Sequence, residues 1–289
     1  MRRPRRRRRT LVPLDLSRVR TVPLARRQSL VAAPSLGRPV QAGMTVRGLV
    51  ARLPDILAAS DLRGAVERIA GALRRDRLVV LGMGAHPIKV GLGPTIVDLI
   101  ERGTFGMARE TGEFLNRATR EGVAAGLGLG RAIGDAILRA RLPFRRTSIL
   151  AAAARAGIPA TAHVAIGTDI IHMHPSADGA AIGEGSLRDF HLLAGVMARL
   201  AGGVYLNLGS AVVLPEVFVK ALNLARNVGH PVRDLTTIDM DFNRHYRPAV
   251  NVVARPTAAG GRGIQLTGHH EIMFPLLWAA VEDALARRR

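Results

Sequence analysis

A repeated order of segments is the strongest sign of how this chain folds: a short apolar run, a polar loop that contains glycine, and a helical segment. Continuous apolar runs of this length are typical of strands buried in a parallel sheet. Strands that alternate with helices predict an α/β fold, with helices on both faces of a mostly parallel sheet. Such sheets bind ligands beyond the carboxyl ends of their strands, so the polar loops are the candidate functional positions. The predicted strands are Arg77–Leu81, Ile158–Ala165, Gly203–Leu208 and Leu235–Met240.

Charge divides the chain into two parts. Seven of the first nine residues are arginine, and the chain carries a formal net charge of +20. The arginine- and proline-rich sequence continues without a sustained period to about residue 45. This predicts a tail and arm over residues 1–45 and a single α/β domain over residues 46–289. The arginine run either binds nucleic acid through its phosphates or forms a solvated tail, and both interpretations stay open.

Composition excludes several classes of protein. The chain has no cysteine, which excludes disulfides, thiolate metal sites and a thiol nucleophile. No segment approaches the roughly 20 consecutive apolar residues of a membrane span, and no apolar stretch follows the arginine run as it does in a secretory signal. We therefore expect a cytoplasmic protein without a membrane partner.

The loop at residues 82–91 follows the first predicted strand and has the composition of a phosphate-binding turn. Its glycines allow the backbone to approach an anion, and the start of the next helix adds a partial positive charge. The loop lacks the full glycine pattern of a dinucleotide-binding turn and the GK[ST] sequence of a P-loop. A structural strand-to-helix turn is therefore the alternative.

The predicted loop from Gly167 to Phe190 is the most polar part of the chain. Its residues His172 and His174, with a nearby aspartate, are of the type that binds zinc or iron, although the spacing fixes no third strong ligand. Local hydrogen bonding of these histidines is the alternative. Two acids of the same loop, Glu184 and Asp189, have the chemistry to bind an amine or the ribose hydroxyls of a nucleotide. Asp189 is equally suited to capping a helix that begins near Phe190.

Four stretches of the chain resemble deoxyhypusine synthase, in the order in which that family has them. Gly209–Val213 (GSAVV) and the helix ending in Ala221–Asn227 (ALNLARN) resemble the family's GGGVV turn and NANLMRN helix. Glu184–Asp189 (EGSLRD), after the predicted strand IPATAHVA, resembles the family's DGSLGD after its IPVF strand. Leu81–Gly91 resembles the loop LGYTSNLISSG, and Phe274–Leu277 matches FPLL. Together they span residues 78–280.

This resemblance implies a doubly wound, Rossmann-like fold of the deoxyhypusine synthase type that binds NAD, in a homotetramer or dimer with sites at the subunit interface. Asp189 falls where the family holds its polyamine substrate, and we assign His172 and His174 of the same predicted loop to the substrate as well. The residues that match the family's NAD-binding positions are Ala85, His86, Lys89, Glu184, Gly209, Ser210, Ala211 and His269.

The chain also departs from the family at the positions that carry the synthase reaction. The synthase holds its aminobutyl group as an imine on the lysine of a WGK motif, and the matching stretch here has Asn251. The family's KHH after the glycine turn is Leu214-Pro215-Glu216 here, and a strand with a TAGG-type loop is missing after Gly103. Because an imine needs a deprotonatable amine, we expect no authentic deoxyhypusine synthesis.

Three functional hypotheses follow from these observations. The first is an NAD-dependent oxidoreductase or transferase that acts on an unknown small molecule. The second is a non-catalytic relative that binds a nucleotide or a partner. The third is a metal-dependent hydrolase that uses the loop containing His172 and His174.

Overall fold

The computed structural model describes residues 33–83, 87, 91–92, 95 and 109–286. In these residues four strands form one sheet in which every pairing is parallel and the spatial order is β1-β2-β3-β4. This confirms the predicted α/β class with a parallel sheet. The strands are β1 Val79–Met83, β2 Val204–Leu208, β3 Thr236–Asp241 and β4 Arg262–Thr267.

One of the predicted strands is wrong and one strand was not predicted. Residues 158–165 pair with no strand, and the main-chain N–H groups of Ala162 and Val164 instead donate to the side chains of Asp189 and Ser186. β4 has the sequence RGIQLT, in which polar and apolar residues alternate, so it does not present the continuous apolar run that identifies a buried strand.

Helices cover both faces of the sheet. The strands follow one another across the sheet in a single direction. Right-handed connections between such strands place their helices on the same face of the sheet. The segments before β1 and after β4 therefore cover the opposite face. The first two helices and the last one pack on that other face, whereas the helix and π-helix that follow β2 and β3 pack on the crossover face. The main helices are α1 Val46–Arg52, α2 Leu57–Arg74, α3 Arg109–Ala124, α4 Leu129–Arg139, α5 Ile149–Ala156, α6 Gly179–Met197, α7 Val213–Asn227 and α8 His270–Ala286, with the π-helix at Ala249–Ala254.

The strand order gives the sheet one direction of winding. A doubly wound sheet reverses its strand order at a switch point, and no reversal occurs among the strands that the structure describes. The doubly wound arrangement and the synthase-type fold therefore remain predictions. The arginine run at residues 1–9 lies outside the described residues, as does the start of the arm, and the predicted oligomer is not addressed by a single chain.

The sheet separates two apolar layers. Ile238 and Met240 of β3 face α2 and α8, where they join the larger core. On the opposite face, Tyr205 stacks on Phe218 of α7, with ring centroids 3.7 Å apart. None of the helices in the described ranges is long and apolar enough to cross a membrane.

Candidate functional site

Described residues that follow three of the strands meet at the carboxyl edge of the sheet, around Gly209 at the end of β2. Gly209 has a left-handed φ of +66°, and a Cβ atom there would lie 2.8 Å from the His270 ring and 3.2 Å from Pro87 Cγ. Pro87 follows β1 in the chain and His270 follows β4. Only glycine allows this approach, so these two residues pack against the end of β2.

Side-chain hydrogen bonds hold the loop after β2, which leads directly into α7. The side chain of Asn207 donates to Ser210 O at 2.9 Å, and Ser210 Oγ accepts from Leu214 N at 3.2 Å. Ala211 is half-buried and Val212, the residue before the helix, is 48% exposed. Val212 provides no side-chain cap, and the first turn of α7 instead has Ser210 Oγ as an acceptor and Glu216 as an acid.

A histidine and an aspartate fix the far side of this edge. His270 is fully buried, with Nε2 3.3 Å from Met240 O and 3.7 Å from Asp241 Oδ1. Asp241 Oδ1 also accepts from Phe242 N at 2.7 Å, and Asp241 Oδ2 lies 3.9 Å from the half-exposed His245. His269, predicted to contact NAD, is exposed beside this buried pair.

Below the edge, one row of polar side chains crosses the sheet on the face of α7. Asn207 of β2, Asp239 of β3 and Gln265 of β4 are register partners, and the Asn207 amide donates to Asp239 Oδ1 at 2.8 Å. Burial raises the pKa of Asp239 to about 6; the hydrogen bond from Asn207 opposes this rise and the nearby Asp241 charge reinforces it.

The two aspartates of β3 were not predicted as site residues. The signal was present in the strand sequence TTIDMD, where each acid alternates with an apolar residue. Alternation puts both carboxyl groups on one face of a strand, and a buried carboxyl group in a parallel sheet is unusual enough to mark a site.

The predicted loop Gly167–Phe190 is mostly helix, and this corrects the placement of its two acids. Glu184 lies on the exposed surface of α6, where it pairs with Arg188 at 2.8 Å. Asp189 is 0% exposed and lies in the middle of α6, so it does not cap a helix beginning near Phe190.

Asp189 instead joins two distant main-chain segments. Its Oδ2 accepts from Gly130 N at 2.9 Å, near the start of α4, and from Ala162 N at 2.7 Å. Burial raises the pKa of Asp189, and these main-chain hydrogen bonds oppose the rise. The geometry gives Asp189 a structural task and offers no support for contact with a substrate.

His172 and His174 are engaged within their own loop. His172 Nδ1 accepts from Gly167 N and Asp169 N, at 3.1 and 3.2 Å. His174 Nδ1 is 2.8 Å from Ser176 Oγ, which also bonds to α3. In the described part of the chain no group of three or more histidines and acids is placed to hold a metal ion.

Two positions at which the sequence differs from the deoxyhypusine synthase motifs, Asn251 and Glu216, contact each other through their side chains. Asn251, on the π-helix, donates to Glu216 Oε1 at 2.8 Å and accepts from Arg255 at 2.9 Å. Lys220 Nζ lies 2.6 Å from Glu216 Oε2, and this hydrogen bond is the main reason that the pKa of Glu216 is lowered. Both positions were identified from sequence as differences from the synthase motifs, but their contact was not predicted.

Three residues predicted to bind NAD, Ala85, His86 and Lys89, lie outside the described residues. Neither a scan of protein-family models nor a search of curated proteins finds a match to this chain. The likeness to deoxyhypusine synthase therefore depends on the four motifs alone.

Proposed function

We propose that this chain binds NAD at the carboxyl edge of its sheet and acts as an oxidoreductase or transferase on a small molecule. The observation that carries the proposal is the close approach of Gly209 to Pro87 and His270, where β2 passes into α7. In α/β sheets ligands bind beyond the carboxyl ends of the strands, and this approach lies there.

The local chemistry at the start of α7 suits a pyrophosphate. The Gly209 backbone is partly exposed, and the start of α7 provides partial positive charge, with Ser210 Oγ accepting one N–H group of its first turn. The buried amide of Asn207 holds the Ser210 carbonyl, which keeps the loop in one conformation before any ligand binds. A preformed loop lowers the ordering cost of binding.

The pair formed by Asn251 and Glu216 argues for chemistry other than that of the synthase. An asparagine amide cannot form an imine, and here it is held by an acid on one side and by Arg255 on the other. Lys220 is close by, but its ammonium group is ion-paired to Glu216. In this proposal the substrate is not carried as an imine on a lysine at this position.

A charge change at Val212 tests the NAD site. Val212→Asp places a carboxylate at the start of α7, where it should raise the free energy of unfolding by about 0.3–1 kcal/mol through the helix dipole. The same charge should repel the pyrophosphate and weaken NAD binding by about tenfold or more. Isothermal titration of the full chain with NAD, together with urea denaturation, measures both effects.

Val212→Asn is the matched control, because it has nearly the same shape as the aspartate and no charge. Its NAD affinity should stay close to that of the wild type. No heat of binding with the wild-type chain would overturn the proposal outright. Binding that is equally strong in all three proteins would move the nucleotide away from α7.

The chain is expected to have no deoxyhypusine synthase activity. Incubation with NAD, spermidine and the translation-factor substrate should yield no modified lysine by mass spectrometry, while an authentic synthase in the same assay does. Product from the wild-type chain would contradict the expectation. Loss of that product in Lys220→Met or Lys89→Met would then identify the lysine responsible.

A further inference from the structure

Two exposed rings lie side by side at the ends of β3 and β4. The rings of Phe242 and His269 are within 6° of parallel, with centroids 6.4 Å apart. Phe242 is 44% exposed and the His269 side chain is 72% exposed. Only 3% of the chain is aromatic, so an exposed aromatic pair at the candidate site is not a consequence of composition.

Both rings are attached to rigid parts of the fold. Phe242 directly follows β3, and its main-chain N–H donates to the buried Asp241. Its ring also meets His270 edge to face, at 6.1 Å and 81°. His269 directly precedes His270, the first residue of α8. The pair is therefore positioned before a ligand arrives.

His270 connects this pair to the glycine loop. It contacts the Phe242 ring on one side and lies against Gly209 on the other. If a ligand binds with its phosphates at Gly209, the group attached to those phosphates lies on the side of Phe242. In a nucleotide that group is a sugar that carries a planar base.

We propose that Phe242 and His269 form the stacking surface for a planar ring of the nucleotide, either nicotinamide or adenine. This inference rests on the NAD site proposed above. The centroid distance is within the range of about 4.5–7 Å for stacked aromatic pairs, so a third planar ring can extend the stack. Stacking on aromatic side chains recognises the flat face of a base rather than its edge.

Replacing the phenylalanine separates stacking from general apolar contact. Phe242→Leu keeps an apolar side chain but removes the aromatic face, and it should weaken NAD binding by on the order of tenfold. His269→Ala should act in the same direction. Phe144→Leu is the matched control, since Phe144 is 74% exposed and lies outside the candidate site. It should bind NAD as the wild type does.

Phe242→Trp gives a second test that does not depend on the stability of the leucine variant. The only tryptophan of the wild-type chain is Trp278, so a tryptophan at the stacking surface adds its own fluorescence. NAD should quench this added signal by stacking, and affinity should be kept. No quenching at saturating NAD overturns the stacking role.

Fragments of the cofactor identify the ring. Weaker binding of ADP-ribose to Phe242→Leu than to the wild type supports adenine stacking, and weaker binding of nicotinamide mononucleotide supports nicotinamide stacking. If the wild-type chain and Phe242→Leu bind NAD and both fragments equally, the stacking inference is wrong but the NAD site stands. If the wild-type chain binds no NAD, the proposed function fails, and this inference fails with it.

Discussion

Replacing Asp189 with alanine is expected to lower the free energy of unfolding by about 2–6 kcal/mol, since two main-chain N–H groups lose their acceptor and each such loss costs about 1–3 kcal/mol. Those groups belong to Gly130, near the start of α4, and Ala162, in the extended segment beside α6. Urea denaturation followed by circular dichroism measures the loss.

Two further variants separate the acceptor role of Asp189 from its charge and from its helix. Asp189→Asn keeps one acceptor oxygen and removes a buried charge, so it should lose less than the alanine variant. Glu184→Ala lies on the exposed side of the same helix and should change stability by less than about 1 kcal/mol. An alanine variant as stable as the wild type would contradict the structural role. Asp189→Asn that kept its stability but lost ligand affinity would restore the role in substrate binding that the sequence predicts.

The interpretation of Asp189 as a helix cap failed for a reason that lies in tertiary packing, and its role toward a ligand stays a prediction. The stretch GEGSLRDF has the glycine and serine content of a loop, yet it forms part of α6. At Gly185 a Cβ atom would lie 2.5 Å from Leu129 and 2.8 Å from Val123, so this glycine permits close contact with its neighbours rather than a turn. Local composition does not distinguish a loop glycine from a glycine at a helix contact.

The extended segment at residues 158–165 shows the same limit for strands. Its apolar sequence is suited to a strand, yet no strand forms there. Its partners, however, are the side chains of Asp189 and Ser186 rather than a neighbouring strand. Strand sequence predicts an extended conformation, whereas pairing depends on what lies alongside. The strands β1 and β2 were predictable because they read as short, mostly apolar runs, whereas β3 is buried at every position although its sequence, TTIDMD, is largely polar.

The loop residues of the candidate site were predictable from sequence, whereas the row of polar side chains below them was not. A glycine that follows an apolar strand has a specific backbone use, so Gly209 and its neighbours could be identified from sequence. The row formed by Asn207 and Asp239 depends on the register between β2 and β3, which becomes visible only when the strands are aligned in the sheet.

Replacing Asp239 with asparagine is expected to make the protein more stable at neutral pH, by as much as about 3 kcal/mol, with no gain below about pH 4. The carboxyl group is only 3% exposed, and burial raises its pKa from 3.8 to about 6. A pKa that differs by about two units between the folded and unfolded states corresponds to about 3 kcal/mol of unfolding free energy. The folded state binds this proton more tightly than the unfolded state. The contribution of Asp239 to stability is therefore complete below pH 4 and is lost as the pH rises through about 6.

Asparagine keeps the useful contact and omits the charge. Its oxygen can still accept from Asn207, and its amide can donate within the same row. Among the described residues, four buried polar atoms near this row have no hydrogen-bond partner: Tyr205 Oη, Asn207 Oδ1, Thr237 Oγ1 and Gln265 Nε2. A protonated Asp239 supplies a donor to the same row, so the asparagine variant imitates the acid form at every pH.

The measurement is the difference in unfolding free energy between Asp239→Asn and the wild type, taken by urea denaturation at intervals from pH 3.5 to pH 8. A difference is needed because burial lowers the pKa of His163 to about 4, and that residue makes stability rise with pH in an overlapping window. This opposing contribution is the same in both proteins and cancels. Asp234→Asn, at an exposed position just before β3, is the control for the same substitution outside the sheet. A flat difference for Asp239→Asn would mean that Asp239 is ionised in the folded protein at little cost, and it would contradict the prediction.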